Sequence, residues 1–265
     1  MSLGRVSQSI QNNRTLRELL SCARRAARVL CDSHSSVNPS EPRSSCDEIE
    51  SAITQVRTLV DRLIPADFGV RFPSRADFDR YHSPAHSHHN RSSPCFVVEL
   101  HHEPLLTFII FCLRDSNSRL PLHDHVGMYG FLRVLRGQAR VTSYSWPTTG
   151  EHTRETSQMS GDDTSLRIPA VYHSTTILSS SDETHVLRPD VGNVHEIQNI
   201  SDEVPLVFFD VLTPSYETTT RDCHYYRPVP DPSHPEPNPG DVVHLQPVPS
   251  PDTYWTINWP PTEQR

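Results

Sequence analysis

Apolar residues return at helical spacing twice before residue 65. Leu16, Leu19, Leu20, Ala23, Ala27 and Leu30 predict an amphipathic helix over residues 13 to 31. Residues 32 to 46, rich in Ser and Pro, then read as a loop. Ser45 with Glu48 makes a capping box, and Ile49, Ala52, Ile53, Val56, Val60 and Leu63 form one stripe that ends before Pro65. Beyond residue 93 the pattern changes to short apolar or alternating runs: Phe96 to Leu100, Leu105 to Leu113, Gly130 to Leu135, Ala139 to Trp146, Leu166 to Tyr172 and Pro205 to Leu212. Such runs, separated by turn residues, predict a β-sandwich or barrel. Residues 147 to 164 and 178 to 193 are polar and read as loops, and Pro228 to Pro239 is half proline. Val242 to Leu245 and Tyr254 to Trp259 return as candidate edge strands.

This pattern divides the chain into four parts. Residues 1–46 hold a helix and a Ser/Pro-rich loop, 47–93 a capped helix and linker, 94–228 a barrel, and 229–265 a Pro-rich tail packing on it. At 265 residues the chain is long enough for one catalytic domain with terminal extensions.

Composition narrows the chemistry. A net charge of -8 argues against nucleic acid or an anionic membrane as partner. All 24 basic residues are arginine, which excludes mechanisms that need a Schiff-base or phosphate-gripping lysine. Cys22, Cys31, Cys46, Cys95, Cys112 and Cys223 form no CxxC pair and read as reduced thiols of a cytoplasmic, monomeric protein. Arg5, Arg14, Arg17, Arg24, Arg25 and Arg28 against the single acid Glu18 also match the composition of a mitochondrial transit peptide. No apolar run approaches the length of a membrane helix.

Histidine is frequent, 16 in 265, so an HxH pair alone arises by chance about once in such a chain. His123 and His125 gain weight from their setting. They lie two apart where a strand is expected, so both imidazoles face one side, as two ligands of one metal require. Gly137 follows where the chain turns after Arg136, and about seventy residues on comes Pro189-Asp-Val-Gly192-Asn-Val-His195-Glu-Ile-Gln-Asn199. His173, after a predicted strand, is the rival third ligand. His86, His88 and His89 lie in a Ser/Pro-containing stretch with no element to fix them.

HxH with a later Gly, followed by PxxGxxHxxxN, resembles the two motifs of the cupin superfamily. That likeness implies a mainly β fold, a cupin-type (double-stranded β-helix or jelly-roll) barrel with N-terminal α-helices, and a metal held by His123, His125 and His195. The usual glutamate ligand four or five residues past the second His is absent, because Tyr129 and Gly130 stand there. Three neutral imidazoles leave an iron(II) with its full charge and about three open positions, which suits binding of a thiolate and dioxygen.

Four segments more specifically resemble the cysteamine (2-aminoethanethiol) dioxygenases and plant cysteine oxidases. These are Leu120-Pro-Leu-His-Asp-His-Val-Gly-Met-Tyr-Gly130, Gly192-Asn-Val-His195, Phe209-Asp-Val-Leu-Thr-Pro-Ser-Tyr216 and Arg221-Asp-Cys-His-Tyr-Tyr-Arg227. Val126 and Ser215 replace prolines general in that family. The resemblance implies Fe(2+), dioxygen and a small aminothiol or Cys-initiated peptide, oxidised to the sulfinic acid, with oxygen sensing as a use. Another metal cupin, such as an isomerase or quercetinase-like dioxygenase, and a non-catalytic ligand-sensing cupin are the alternatives.

Four further residues are candidates. Asp210 interrupts Leu206-Val-Phe-Phe-Asp-Val-Leu212 and needs a partner: the N–H of a liganding His, the substrate amine, or an Arg or backbone group. Tyr216 is expected to donate at the pocket mouth. Cys223 and Tyr225 share a face if their segment is a strand, and the family likeness marks them as a candidate thioether pair.

Overall fold

The computed structural model describes residues 10–32, 44–81, 94–147, 166–233 and 235–260. His86, His88 and His89 lie outside these residues. The architecture is mainly β, a closed six-stranded barrel beside a second six-stranded sheet, with N-terminal α-helices, as the sequence predicts.

Both expected helices form. Helix α1 (Arg14–Asp32) buries Leu16, Leu19, Ala23, Ala26, Ala27 and Leu30, and Asn13 caps it, its side-chain Oδ1 accepting from Leu16 N–H at 3.0 Å. Helix α2 (Cys46–Asp61) carries the full capping box: Ser45 Oγ accepts from Glu48 N–H, and the Glu48 carboxylate accepts from Ser45 N–H. The stretch expected as linker holds a 3-10 turn (Pro65–Phe68) and a six-residue helix α3 (Arg75–Arg80). Ser74 caps α3 with Asp77 where the usual box has Glu or Gln, and Arg71 grips the Asp77 carboxylate with two bonds of 2.7 and 3.1 Å. Among the described residues, no helix is long and apolar enough to cross a membrane.

The strands are β1 (Cys95–Glu103), β2 (Leu106–Leu113), β3 (Arg119–Asp124), β4 (Tyr129–Arg136), β5 (Gln138–Ser145), β6 (Ile168–Ser179), β7 (His185–Leu187), β8 (Val194–Asn199), β9 (Leu206–Thr213), β10 (Tyr225–Pro228), β11 (Val242–Val248) and β12 (Thr256–Asn258). One six-stranded sheet has the order β12-β1-β2-β9-β4-β7; the other, β10-β11-β6-β5-β8-β3, closes on itself. Strands β6 and β7 take up part of the region expected as loop. Val242 to Leu245 is not an edge strand, since β11 pairs with β10 on one side and β6 on the other. Of the two candidate edge strands, β12 does lie at an edge, parallel to β1.

Strand β9 shows why its whole sequence is buried. Val207, Phe209 and Val211 face the helices and pack with Phe68, Phe78 and Phe108. Leu206 and Phe208 face the second sheet and pack with Leu132, Val134, Val141 and Ile197. Alternation sends successive side chains to opposite sides, and each side is covered. Asp210 therefore points between the sheets. The crossing from β4 to β5 turns at Gly137, where φ is +80° and a Cβ would lie 3.1 Å from Leu206 Cα.

Candidate metal centre

Two strands supply the histidines. His123 sits near the end of β3, His125 one residue past it, and His195 near the start of β8, directly across from His123. The HxH pair is thus only half on a strand, but the turn at Val126 and Gly127 brings His125 to the same side, and its N–H donates to the Asn193 carbonyl at 2.9 Å. That bond ties the first motif to the second. Gly192 takes a φ of +67°, its N–H donating to Ser145 Oγ, and buried Asn199 donates to the carbonyls of Leu113 and Val204.

The three rings are buried with centroids 4.8, 4.8 and 4.9 Å apart, and one nitrogen from each lies within 4.8 Å of the others. Hydrogen bonds decide the tautomers of two. His123 Nδ1 donates to the Pro121 carbonyl at 2.7 Å, which can only accept, so Nε2 keeps its lone pair. Tyr216 gives its only proton to the Asp124 carbonyl at 2.6 Å and must accept from His125 Nδ1 at 2.9 Å, so His125 Nε2 also keeps its lone pair. His195 Nε2 lies 3.1 Å from His125 Nε2, while His195 Nδ1 is buried without a partner. Burial, then mutual repulsion, pushes His125 and His195 well below the ordinary imidazole range; burial also lowers His123. Neutral imidazoles with convergent lone pairs are what a divalent cation needs, and the donor set fits one.

The position of the usual fourth ligand is closed as well as vacant of a carboxylate. A Cβ on Gly130 would lie 2.7 Å from Leu187 Cδ1, so Leu187 fills the space a glutamate would cross.

The expected supporting residues divide. Asp210 reaches no histidine: its Oδ1 has no hydrogen bond, and the nearest groups lowering its pKa are the backbone N–H groups of Val211 and Phe131. Burial outweighs them and pushes the carboxyl up to about 7. Tyr216 is half-buried, and its hydroxyl meets the Asp124 carbonyl and His125 Nδ1. Cys223 precedes β10 and so does not share a strand with Tyr225, yet its thiol meets the hydroxyls of both Tyr225 and Tyr216, and burial raises it to about 12. Its ring partner Tyr225 lies 6.5 Å from the His123 ring. His173 stands apart: Ser145 Oγ, which accepts from Gly192 N–H, shares a hydrogen bond of 2.5 Å with His173 Nε2, so this histidine helps fix the turn before His195.

The sequence reading missed Asp124. It is wholly buried, and its carboxylate accepts from His224 N–H at 2.9 Å, His224 Nδ1 at 3.2 Å and the Tyr226 hydroxyl at 2.9 Å. A carboxylate between two candidate ligands was the available signal. This cluster holds the Cys223–Tyr226 segment against the HxH motif.

The chain is 32% identical to 2-aminoethanethiol dioxygenase of Mus musculus, over 55% of this chain and 61% of that protein. It is 28% identical to plant cysteine oxidase 1 of Arabidopsis thaliana, over 67% of this chain and 55% of that protein. The chain thus spans less than two thirds of the length of these relatives. A solved double-stranded β-helix protein from Klebsiella pneumoniae shares 16% identity at a TM-score of 0.33, covering 58% of this chain and 95% of its own. The PCO_ADO family model matches residues 59–262, from the end of α2 through β12, and the chain belongs to that family.

Proposed function

We propose that this protein is an iron(II) thiol dioxygenase, with His123, His125 and His195 as the metal ligands, and that it converts cysteamine or the N-terminal cysteine of a peptide to the sulfinic acid. The observation that carries the reading is the pair of imidazole Nε2 atoms 3.1 Å apart, with the His125 proton committed to Tyr216 and, among the described residues, no carboxylate in the cluster of ligand atoms. The names of the relatives, 2-aminoethanethiol dioxygenase and plant cysteine oxidase, support the thiol as substrate. The reaction is R–SH + O2 → R–SO2H, so sulfur climbs two steps of the oxidation ladder and both oxygen atoms are retained.

Iron(II) bound there would supply open positions for the thiol sulfur and for dioxygen, and the electrons that activate the latter. The protein does the rest. Three neutral ligands subtract no charge from the cation, so it attracts an anionic sulfur more strongly than a site with a carboxylate. The Pro121 carbonyl and Tyr216 fix the rings of His123 and His125, an outer contact typically worth about 10 to 100-fold in affinity or activity. Asp210, with one oxygen unsatisfied between the sheets, receives the substrate amine. Cys223 and Tyr225 are the candidate crosslinked pair beside His123.

The test is oxygen uptake after anaerobic loading with iron(II), using cysteamine and a Cys-initiated peptide, with product mass read for the gain of two oxygens. His195→Ala should abolish both iron retention and thiol-dependent uptake. Full activity in that variant overturns the assignment. An N-acetylated thiol reacting as well as the free amine removes the role given to Asp210.

A further inference from the structure

Of the three histidines, His195 alone has a ring nitrogen with nothing to hold it. His123 Nδ1 and His125 Nδ1 each have a partner within 2.9 Å, whereas His195 Nδ1 is buried with none. A histidine that binds a metal through one nitrogen almost always donates through the other, because that bond fixes ring orientation and raises basicity. A group facing this nitrogen should therefore exist in the barrel.

Strand register singles it out. Strand β7 pairs with β4, His185 opposite Leu132 and Val186 opposite Phe131. Leu132 belongs to the core between the sheets, while Phe131 and Val186 pack on the helix side. His185 therefore enters the barrel interior, on the same face as Leu132 and Asp210. Its ring is half-buried and makes no hydrogen bond among the described residues, and burial lowers its pKa. It also acts electrostatically on His195, though ten residues and a turn separate them. Ser143, its cross-strand neighbour on β5, also lies at that side of His195 by register.

We propose that His185 is the positioning residue for His195: its neutral imidazole accepts the His195 Nδ1 proton, directly or through one water, when His195 Nε2 binds a metal. His185 is not a ligand, since three nitrogens already converge without it. The proposal rests on the reading of the triad as a metal centre. It makes β7, a three-residue strand at the edge of its sheet, part of the site.

The experiment measures iron(II) affinity under argon by competition with a chelator, for the wild-type protein and for His185→Leu, His185→Gln and Ser143→Ala. His185→Leu should lose about 10 to 100-fold in affinity, and His185→Gln, which keeps an acceptor, should recover most of it. Recovery by Gln separates positioning from packing, because Leu and Gln disturb the barrel to a similar extent. Unchanged affinity in His185→Leu, equal loss in both His185 variants, or loss confined to Ser143→Ala overturns the proposal. Failure of the wild-type protein to bind iron at all overturns instead the metal reading on which it stands.

Discussion

Asp124 and Asp210 are both buried carboxylates, yet their surroundings are opposite. Asp124 accepts three hydrogen bonds, from the backbone and ring of His224 and from Tyr226. Asp210 lies on a strand with apolar neighbours on the same face, and one oxygen has no partner. An unmatched buried carboxylate costs stability, so a fold tolerates it only where a ligand completes it or where it takes up a proton. The contrast assigns Asp124 to architecture, holding the Cys223–Tyr226 segment against the HxH motif. Asp210 is left with binding capacity.

The strongest way to break this contrast is to titrate it. An aspartate in the unfolded chain titrates near 3.9, while burial raises Asp210 to about 7 in the folded, metal-free protein. The folded state holds this proton more tightly, so the contribution to stability is full below about pH 4 and is lost as pH rises through 7. Three pH units correspond to up to about 4 kcal/mol. The buried histidines act in the reverse sense: their lowered values give stability that is lost as pH falls below about 6.5. Comparing wild type with Asp210→Asn cancels the histidines. In urea unfolding, Asp210→Asn should be the more stable protein at pH 8, with the advantage shrinking toward pH 5. A difference that stays flat with pH would mean that Asp210 is as well matched as Asp124.

Asp124→Ala should act in the other direction and nearly independently of that titration. It strands the Tyr226 hydroxyl and the His224 donors, and each buried donor left unsatisfied costs about 1–3 kcal/mol. Because His224 is partly exposed and water can reach its ring, the expected loss is about 3 kcal/mol, read as a lower urea midpoint. An equal and opposite change at the two carboxylates sharpens the comparison. A stable Asp124→Ala protein with intact iron binding dissolves it.

How far the sequence reached depended on whether a residue's partners were near it in the chain. The triad was legible because two spaced motifs carry it. Asp210 was legible as a polar break in an apolar run, but its expected histidine contact was not found, since period-two alternation gives a face and not a partner. Asp124 was invisible because its partners lie about a hundred residues away and it was hidden between two histidines that drew the chemistry. Helix α3 escaped because six residues leave no stripe and its cap uses Asp77 in place of a longer acid. Strand β11 looked like an edge because it returns from the proline-rich stretch 228–239, and only its pairing with β6 and β10 makes it a stave of the closed sheet.

The finest test asks how much of the Asp124 cluster resides in one hydroxyl. Tyr226 is buried, its ring 5.2 Å from Trp146 and packed with Leu122 and Val194, so Phe fills the same space and removes only the bond to Asp124. A hydrogen bond to a charged group is worth about 1.5–3 kcal/mol, and the carboxylate keeps two donors from His224, so Tyr226→Phe should cost about 2 kcal/mol. Iron affinity should fall only slightly, because Tyr226 touches no candidate ligand. In the double variant with Asp124→Ala the second change should recover part of the loss, since it removes the hydroxyl that Asp124→Ala leaves stranded. If the two losses instead add in full, Tyr226 stabilises the barrel by packing alone, and Asp124 is held by His224 without it.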